Sequence, residues 1–421
     1  MTTAPCRRKI PMTLRVFLLA ILVAGSASAA TPNARPAPAK TAAPPMVFYV
    51  AKGAPDACGR GCDSWIAVEG QVDASAALRF KKFLQRAGNR NLPLYFHSPG
   101  GNLDQALAMG AALRERHAVA RVARTVVREC GFEAQDSEVC LKLKQSGREL
   151  RSDLWTRGAT CNSACPYLLL GAATREIAAD ALLAVHSARV IVHLRGGMPT
   201  AEMKAAATER GIERADRMLS SYIVKMGGDI GLLELARSIK FESMHVLTRE
   251  QIVRFGIDRR EFVETPWTFE NNGRSMARKA VVERNDADKS WRTTLWRIVC
   301  FNADQFELDL QRPAPASSGF PTLTISSGTS VAQYFKSPPA KLQGFEIWGP
   351  RMNKEGVLAL MAEPQFDFTE TAQSAGKRLA HTAKLSNEGL GRALASLTET
   401  CPPPKNIALR QTVGAGEAVA K

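Results

Sequence analysis

Apolar positions along the chain fall into two rhythms. Short, nearly unbroken apolar runs at Met46–Val50, Ile66–Val68, Leu92–His97, Ala118–Val127 and Ala181–Val185 read as strands. Between them the spacing lengthens. After Gly101, the residues Leu103, Ala106, Leu107, Gly110 and Leu113 recur at helical intervals and mark one buried face. Ala74–Arg86 reads as a helix with Asp73 as its N-cap, and Tyr167–Ala173 as a helix with Ser163 at its head. Longer helical patterns run over Ala201–Met226, Asp229–Ser238 and Leu247–Asp258, beyond a second apolar stretch, VIVHLRGG. Strands alternating with helices predict parallel βαβ units and an α/β class.

From about residue 265 the pattern changes. Pro, Ser and Gly become frequent, and strand-like runs appear at Trp296–Phe301, Phe306–Leu310, Thr322–Ile325 and Phe345–Trp348 before a closing helix at Asn387–Thr398. This predicts a smaller β-rich accessory domain over 265–405 and a flexible tail over 406–421, after an α/β domain over 46–264. Residues 128–157 are polar and charged, and are expected to form a lid or hairpin.

The N-terminus is read differently. Arg7, Arg8, Lys9 and Arg15 precede a nine-residue apolar stretch, Val16–Ala24, and Ala27-Ser28-Ala29 suits cleavage before Ala30. Nine apolar residues fall short of the roughly 20 that span a bilayer. The expectation is a signal peptide over 1–29 and a periplasmic or secreted protein, with an uncleaved N-terminal membrane anchor as the alternative. The Ala/Pro-rich stretch 30–45 reads as a linker.

Export changes the meaning of the cysteines. Eight remain beyond the leader, and an even number in an oxidising compartment favours disulfides. Sequence neighbours suggest Cys58–Cys62, Cys130–Cys140, Cys161–Cys165 and a long-range Cys300–Cys401, without fixing the connectivity. Zinc is the alternative, but no histidine lies at ligand spacing from them, so no metal is expected. The formal charge of +16 includes the four leader cations, leaving about +12. No basic run interleaved with aromatics accompanies it, so nucleic acid is not an expected partner.

Candidate chemistry sits in two strand–turn–helix units. Ser98-Pro99-Gly100-Gly101 ends a strand and opens a helix, leaving backbone N–H groups where an oxyanion could sit. Cys161-Asn162-Ser163-Ala164-Cys165 opens the second helix, and His186 ends the strand after it. A serine needs an imidazole to accept its proton, which makes this pairing chemically apt. Each residue also has a plain structural role: a cap for Ser163, a core position for His186, a tight turn for the glycines.

IAVEGQVD, LYFHSPGGNLDQALAMGAAL, CNSACPYLLLGA, ALLAVHSAR and LTREQIVRFGID occur in this order over roughly residues 64–260. Together they resemble the caseinolytic (Clp) protease family and the wider crotonase-like superfamily, in particular its uncharacterised exported members with a Cys-x-Ser-x-Cys element. The resemblance implies a crotonase/Clp-like spiral of ββα units. It implies Ser163 as nucleophile, His186 as general base, and an oxyanion hole from Gly100, Gly101 and Ala164. It places the third triad member at Met244, where the family has aspartate; Glu242, Asp229 and His245 are the nearby substitutes. Signal-peptide peptidase relatives use a Ser–Lys pair, for which Lys142 and Lys144 are the nearest upstream lysines. The crotonase branch acts on acyl-CoA, which an exported chain would not meet, so no cofactor is expected. His97 stands where relatives often show asparagine, and is either a substrate contact or a strand residue.

The functional expectation is a periplasmic serine hydrolase, a peptidase, acting on peptides or envelope proteins. The alternative is a catalytically degenerate binding or scaffold protein using the same groove. Clp relatives form rings, so a homo-oligomer is possible, while their ATPase partner is cytoplasmic and is not expected here.

Overall fold

The computed structural model describes residues 43–401 except 89–90, 191–199, 272–273, 286–288, 303, 315–321, 329, 336–337 and 375–376. The expected signal peptide, most of the linker, the stretch VIVHLRGG beyond Val190 and the tail lie outside the described residues.

The first half is mixed α/β. In chain order it contains β1 (Val47–Lys52), β2 (Ser64–Glu69), α1 (Ala76–Ala87), β3 (Leu94–His97), α2 (Leu103–Glu115), β4 (Val119–Val122) and β5 (Arg124–Val127). There follow α3 (Glu138–Lys144), β6 (Leu150–Trp155), β7 (Thr160–Asn162), α4 (Cys165–Leu170), β8 (Thr174–Glu176) and β9 (Leu182–Val185). The half closes with α5 (Ala201–Lys225), α6 (Gly231–Ser238), β10 (His245–Val246) and α7 (Arg249–Arg254).

Seven strands form one sheet in the order β5-β6-β1-β2-β3-β4-β8, and three form another, β10-β9-β7. The parallel pairs β2–β3, β3–β4 and β4–β8 carry the larger sheet. β2 and β3 are largely apolar on both faces because both faces are covered, whereas the edge strand β8 is polar and its Glu176 pairs with Arg121 of β4 at 2.6 Å. Ile66, Val68 and Phe96 enter a core with Phe80 of α1, Leu113 of α2 and Leu168 of α4, while Tyr49, Trp65, Ala67 and Tyr95 face a second core beside Cys130, Cys140 and Leu150.

Three local expectations are revised. The run Ala118–Val127 breaks at Ala123 into β4 and β5, because β4 pairs with β3 whereas β5 pairs with β6. Residues 128–157 are not a detached lid: β6 returns antiparallel along β5 in the manner of a hairpin, but it also joins β1 in parallel, and Cys130, Cys140 and Leu150 build the second core. The N-cap position of α1 is Ser75, while Asp73 instead accepts the Ser75 N–H at 3.0 Å and pairs with Arg79 at 2.6 Å.

The second half is built from antiparallel sheets. Its elements are β11 (Phe262–Glu264), β12 (Thr268–Asn271), β13 (Ser275–Arg284), β14 (Trp291–Asn302), β15 (Gln305–Pro313), β16 (Thr322–Ser327) and β17 (Ser330–Phe335). They continue with β18 (Ala340–Leu342), β19 (Phe345–Trp348), β20 (Arg351–Asn353), α8 (Lys354–Met361), β21 (Gln365–Ser374), β22 (Lys377–Ser386) and α9 (Leu390–Glu399). One sheet runs β11-β13-β14-β15-β19-β18, with β12 on β13 and β20 on β15; the other runs β17-β16-β21-β22. Trp296 sits edge-on to Phe366 and Phe368, at 5.7 and 5.0 Å, within a core that α9 closes through Leu390, Leu394 and Leu397. Both halves belong to one compact unit. Arg278 of β13 pairs with Asp180 at 2.6 Å just ahead of β9, Arg157 pairs with Glu270, and Arg392 donates to Pro55 O at 3.1 Å.

The four cysteine pairs Cys58–Cys62, Cys130–Cys140, Cys161–Cys165 and Cys300–Cys401 are disulfides. In the chain-entropy picture a crosslink across 101 positions restrains the unfolded chain by about 4.7 kcal/mol, and one across 4 positions by about 2 kcal/mol. Cys300–Cys401 therefore acts on stability, whereas the short bridge at Cys161–Cys165 matters more for local geometry.

Candidate active site

Three backbone segments converge at the head of α4. Ser98 N–H donates to Thr160 O at 2.8 Å and Asn162 N–H to Ser98 O at 3.0 Å, so the end of β3 runs against β7. On the other side β7 pairs in parallel with β9, Asn162 opposite Ala184, and Ser163 N–H donates to Ala184 O at 2.8 Å. Ser163 leaves β7 with φ of +58°, a left-handed conformation that costs an L-residue of order 1 kcal/mol or more. Strain of this kind lifts a side chain out of the strand's alternation at a sharp strand-to-helix turn.

Gly100 makes this turn possible. Its φ is +92°, and a Cβ there would overlap Asn162 O and lie 2.6 Å from Ser163 Cβ and 2.8 Å from Ala164 N. Gly101 is held by Val72, whose N–H donates to Gly100 O at 2.8 Å and whose carbonyl accepts Asn102 N–H at 2.7 Å. Among the described residues, neither Gly101 N–H nor Ala164 N–H has a protein acceptor. Gly100 N–H differs, donating to Ser98 Oγ at 3.1 Å. The Cys161–Cys165 disulfide, fully buried with Cα atoms 5.1 Å apart, straps the loop on both sides of Ser163.

His186 follows β9 at the far side of this loop. Its ring meets Phe241 edge-on at 4.9 Å, and Arg189 stacks on the same Phe241 ring at 4.8 Å. Among the described residues, His186 Nδ1 is buried without a hydrogen-bond partner, and so is Asn162 Oδ1 on the neighbouring strand. Among the described residues no hydrogen bond joins Ser163 to His186, and no carboxylate bonds to His186.

The candidate third members lie elsewhere. Met244 is half exposed, Glu242 is exposed, and Asp229 accepts Gly231 N–H at 2.7 Å to start α6. His245 Nε2 is bonded to Gln251 Oε1 at 2.9 Å. The lysines are occupied too: Lys142 pairs with Glu138 at 2.7 Å, and Lys144 with Glu69 at 2.9 Å. Among the described residues no three His, Cys, Asp or Glu side chains are grouped as metal ligands would be, and no helix is long and apolar enough to cross a membrane.

A feature absent from the sequence reading is a cavity of about 480 Å³ on the other side of the Ser98-Pro99-Gly100 turn, lined by Glu69, His97, Pro99, Arg124, Gln135 and Lys144 among others. His97 Nδ1 accepts Thr160 N–H at 3.1 Å, which leaves the ring proton of the neutral form on Nε2. Burial lowers the His97 pKa and favours that neutral form. Histidine at 97, where relatives often show asparagine, and Pro99 of the Gly-Gly turn pointed to this place, but Glu69, Arg124 and Gln135 carry no local sequence signal.

No family model matches the chain, and none of the curated proteins does. Among solved structures, it is similar to the 1510-N membrane-bound stomatin-specific protease, at 14% identity and a TM-score of 0.28, over 46% of this chain and 75% of that one. It is also similar to invasion associated protein B from Bartonella henselae, at 15% identity and a TM-score of 0.26, over 32% of this chain and 96% of that one. At these scores neither likeness carries a function over to this chain.

Proposed function

We propose that the chain is an exported serine hydrolase acting on peptides, built on a crotonase/Clp-like spiral, with Ser163 as nucleophile and His186 as general base. The observation that supports it most directly is the strained Ser163 at the head of α4, set beside two N–H groups that have no acceptor among the described residues. Ser163 Oγ attacks the substrate carbonyl while His186 Nε2 takes its proton. The tetrahedral oxyanion is held by Gly101 and Ala164 N–H. Collapse expels the amine, which receives the proton from His186, and water then releases the acyl group by the same steps in reverse order. Hydrogen bonds between such groups often tighten only with substrate present. Export agrees with the leader-like N-terminus and the four disulfides.

A second reading is favoured by the surroundings of His186: among the described residues its Nδ1 has no orienting partner, and methionine stands at position 244. In that reading the groove binds peptide without cleaving it. The deciding experiment is labelling of the oxidised protein with a fluorophosphonate probe, with Ser163→Ala as control. Labelling that vanishes in the variant supports the hydrolase; an unlabelled but folded protein leaves the binding role.

A further inference from the structure

The cavity beyond the Gly-Gly turn places positive charge beside the candidate site. Glu69 forms part of its wall, but that carboxylate is fully engaged. It accepts from Tyr49 Oη at 2.8 Å, Thr125 N–H at 2.9 Å and Lys144 Nζ at 2.9 Å. Lys144 is 3% exposed and gives a second hydrogen bond to Gln135 O at 2.9 Å, so among the described residues one of its three N–H groups has no acceptor. The Glu69–Lys144 pair is neutral as a unit. Arg124 lines the same cavity, and among the described residues its guanidinium has no hydrogen-bond or ion-pair partner. His97 contributes an Nε2–H donor in the tautomer that Thr160 selects. The opposing charge is Asp136, which lines the cavity too but is exposed, so water screens it.

Donors therefore outnumber free acceptors in a cavity of ligand size. A planar guanidinium with both edges free matches a carboxylate in two parallel hydrogen bonds. Position links that carboxylate to the candidate site. Pro99 lines the cavity, and the next residue, Gly100, is packed on Ser163. An extended peptide covers such a step in about one to three residues.

We propose that this cavity is a carboxylate-recognition subsite, in which Arg124, with Lys144 and His97, holds an acidic side chain or the free C-terminal carboxylate of a peptide lying across Ser163. The proposal rests on the hydrolase reading for the peptide's placement, though the subsite's preference for a carboxylate can be measured without any catalysis. Residues 128–155, which supply Gln135 and Lys144, thereby become the specificity-determining addition to the fold.

The test is fluorescence anisotropy with the Ser163→Ala protein and three fluorescein-labelled peptides: Ala-Ala-Glu-Ala amide, Ala-Ala-Gln-Ala amide, and Ala-Ala-Gln-Ala as the free acid. A carboxylate peptide should bind at least about tenfold more tightly than the neutral amide, one charge-assisted pair's worth of discrimination. Preference for the Glu amide identifies a side-chain carboxylate, and preference for the free acid a chain terminus; both support the subsite. Arg124→Gln should abolish the preference, and Arg124→Lys should keep part of it, since charge remains but the fork is lost. Equal binding of all three peptides, no binding of any, or a preference unchanged in Arg124→Gln overturns the proposal. If the carboxylate preference holds while the parent protein resists fluorophosphonate, the hydrolase reading falls and the subsite stands.

Discussion

Replacing Met244 with aspartate should supply the carboxylate that His186 lacks. The antiparallel ladder sets His245 opposite Val185 and ends there; the residues that follow on each strand, Met244 and His186, are the next to face each other if the register runs on by one step. Directly opposed side chains on paired strands start about 4.5–5.5 Å apart at Cβ. A carboxylate and an imidazolium at that range attract by about 1 kcal/mol in bulk water and about 3–4 kcal/mol at an effective dielectric near 20. Met244 is 45% exposed, which puts the pair between those limits. A stabilisation of the imidazolium formed during attack by about 1.4–2.7 kcal/mol means labelling of Ser163 about 10- to 100-fold faster. The loss on removing a buried triad aspartate, on the order of 10⁴, sets the ceiling. The assay is the pseudo-first-order rate of fluorophosphonate labelling, with Met244→Asn as a control of equal size and no charge. Because the new pair is half exposed, the gain should shrink as salt is raised. If the folded Asp variant labels no faster than the Asn variant, His186 is not the base, or position 244 does not reach it.

Four further outcomes are expected. Gly100→Ala should cost about 1–3 kcal/mol in urea unfolding and slow labelling steeply, since its Cβ would push into Asn162 O and Ser163 and its φ is +92°; a variant as stable and as reactive as the parent contradicts the packing described. Lys144→Met should destabilise by about 3–5 kcal/mol, because it leaves Glu69 buried and unpaired, and adding Glu69→Gln should recover much of the loss; an additive double variant speaks against the pairing. Burial and a hydrogen bond shared with Glu307 push the Asp309 carboxyl up to about 7, above its unfolded value near 3.9. The folded state then binds the proton more tightly, so stability should fall as pH rises from about 4 to 7, and Asp309→Asn should flatten that slope in thermal melts across the window. Replacing both Cys161 and Cys165 with alanine should leave Tm lowered only modestly yet slow labelling, as expected for a bridge that acts on the loop's geometry; an unchanged rate would show the strap to be dispensable.

Much of the first half was legible because β2, β3 and β9 are short apolar runs and the helices are apolar on one face, whereas the polar β6, β7 and β8 give no such signal. The α2 face at Ala106, Leu107, Gly110 and Leu113 and the long α5 needed nothing beyond spacing. The second half was harder. β13 escaped notice because Arg278 and Lys279 interrupt its apolar residues, yet both are buried, neutralised by Asp180 and by Glu264 at 2.9 Å. β21 and β22 were hidden by polar residues between Phe366, Phe368, Ala383 and Leu385. At the site, the approach of Gly100 to Ser163 followed from two short motifs, but the left-handed backbone of Ser163 and the orphaned Nδ1 of His186 depend on neighbours distant in sequence. The cavity was unreadable for the same reason: positions 69, 97, 124, 135 and 144 meet only after β5 folds back to lie by the end of β2.

The ion pair between Asp180 and Arg278 also has a consequence in time. Its partners are 98 residues apart in the chain. At about 5–20 residues per second, a chain emerging from its N-terminus presents Asp180 some 5–20 s before Arg278 exists to neutralise it. During that interval the core around Phe80, Phe96 and Leu168 can already condense from contacts closer in sequence, but the approach to β9 carries an unpaired acid with no reason to be buried. The burial of Asp180 just ahead of β9 is thus completed only when β13 brings Arg278 to it.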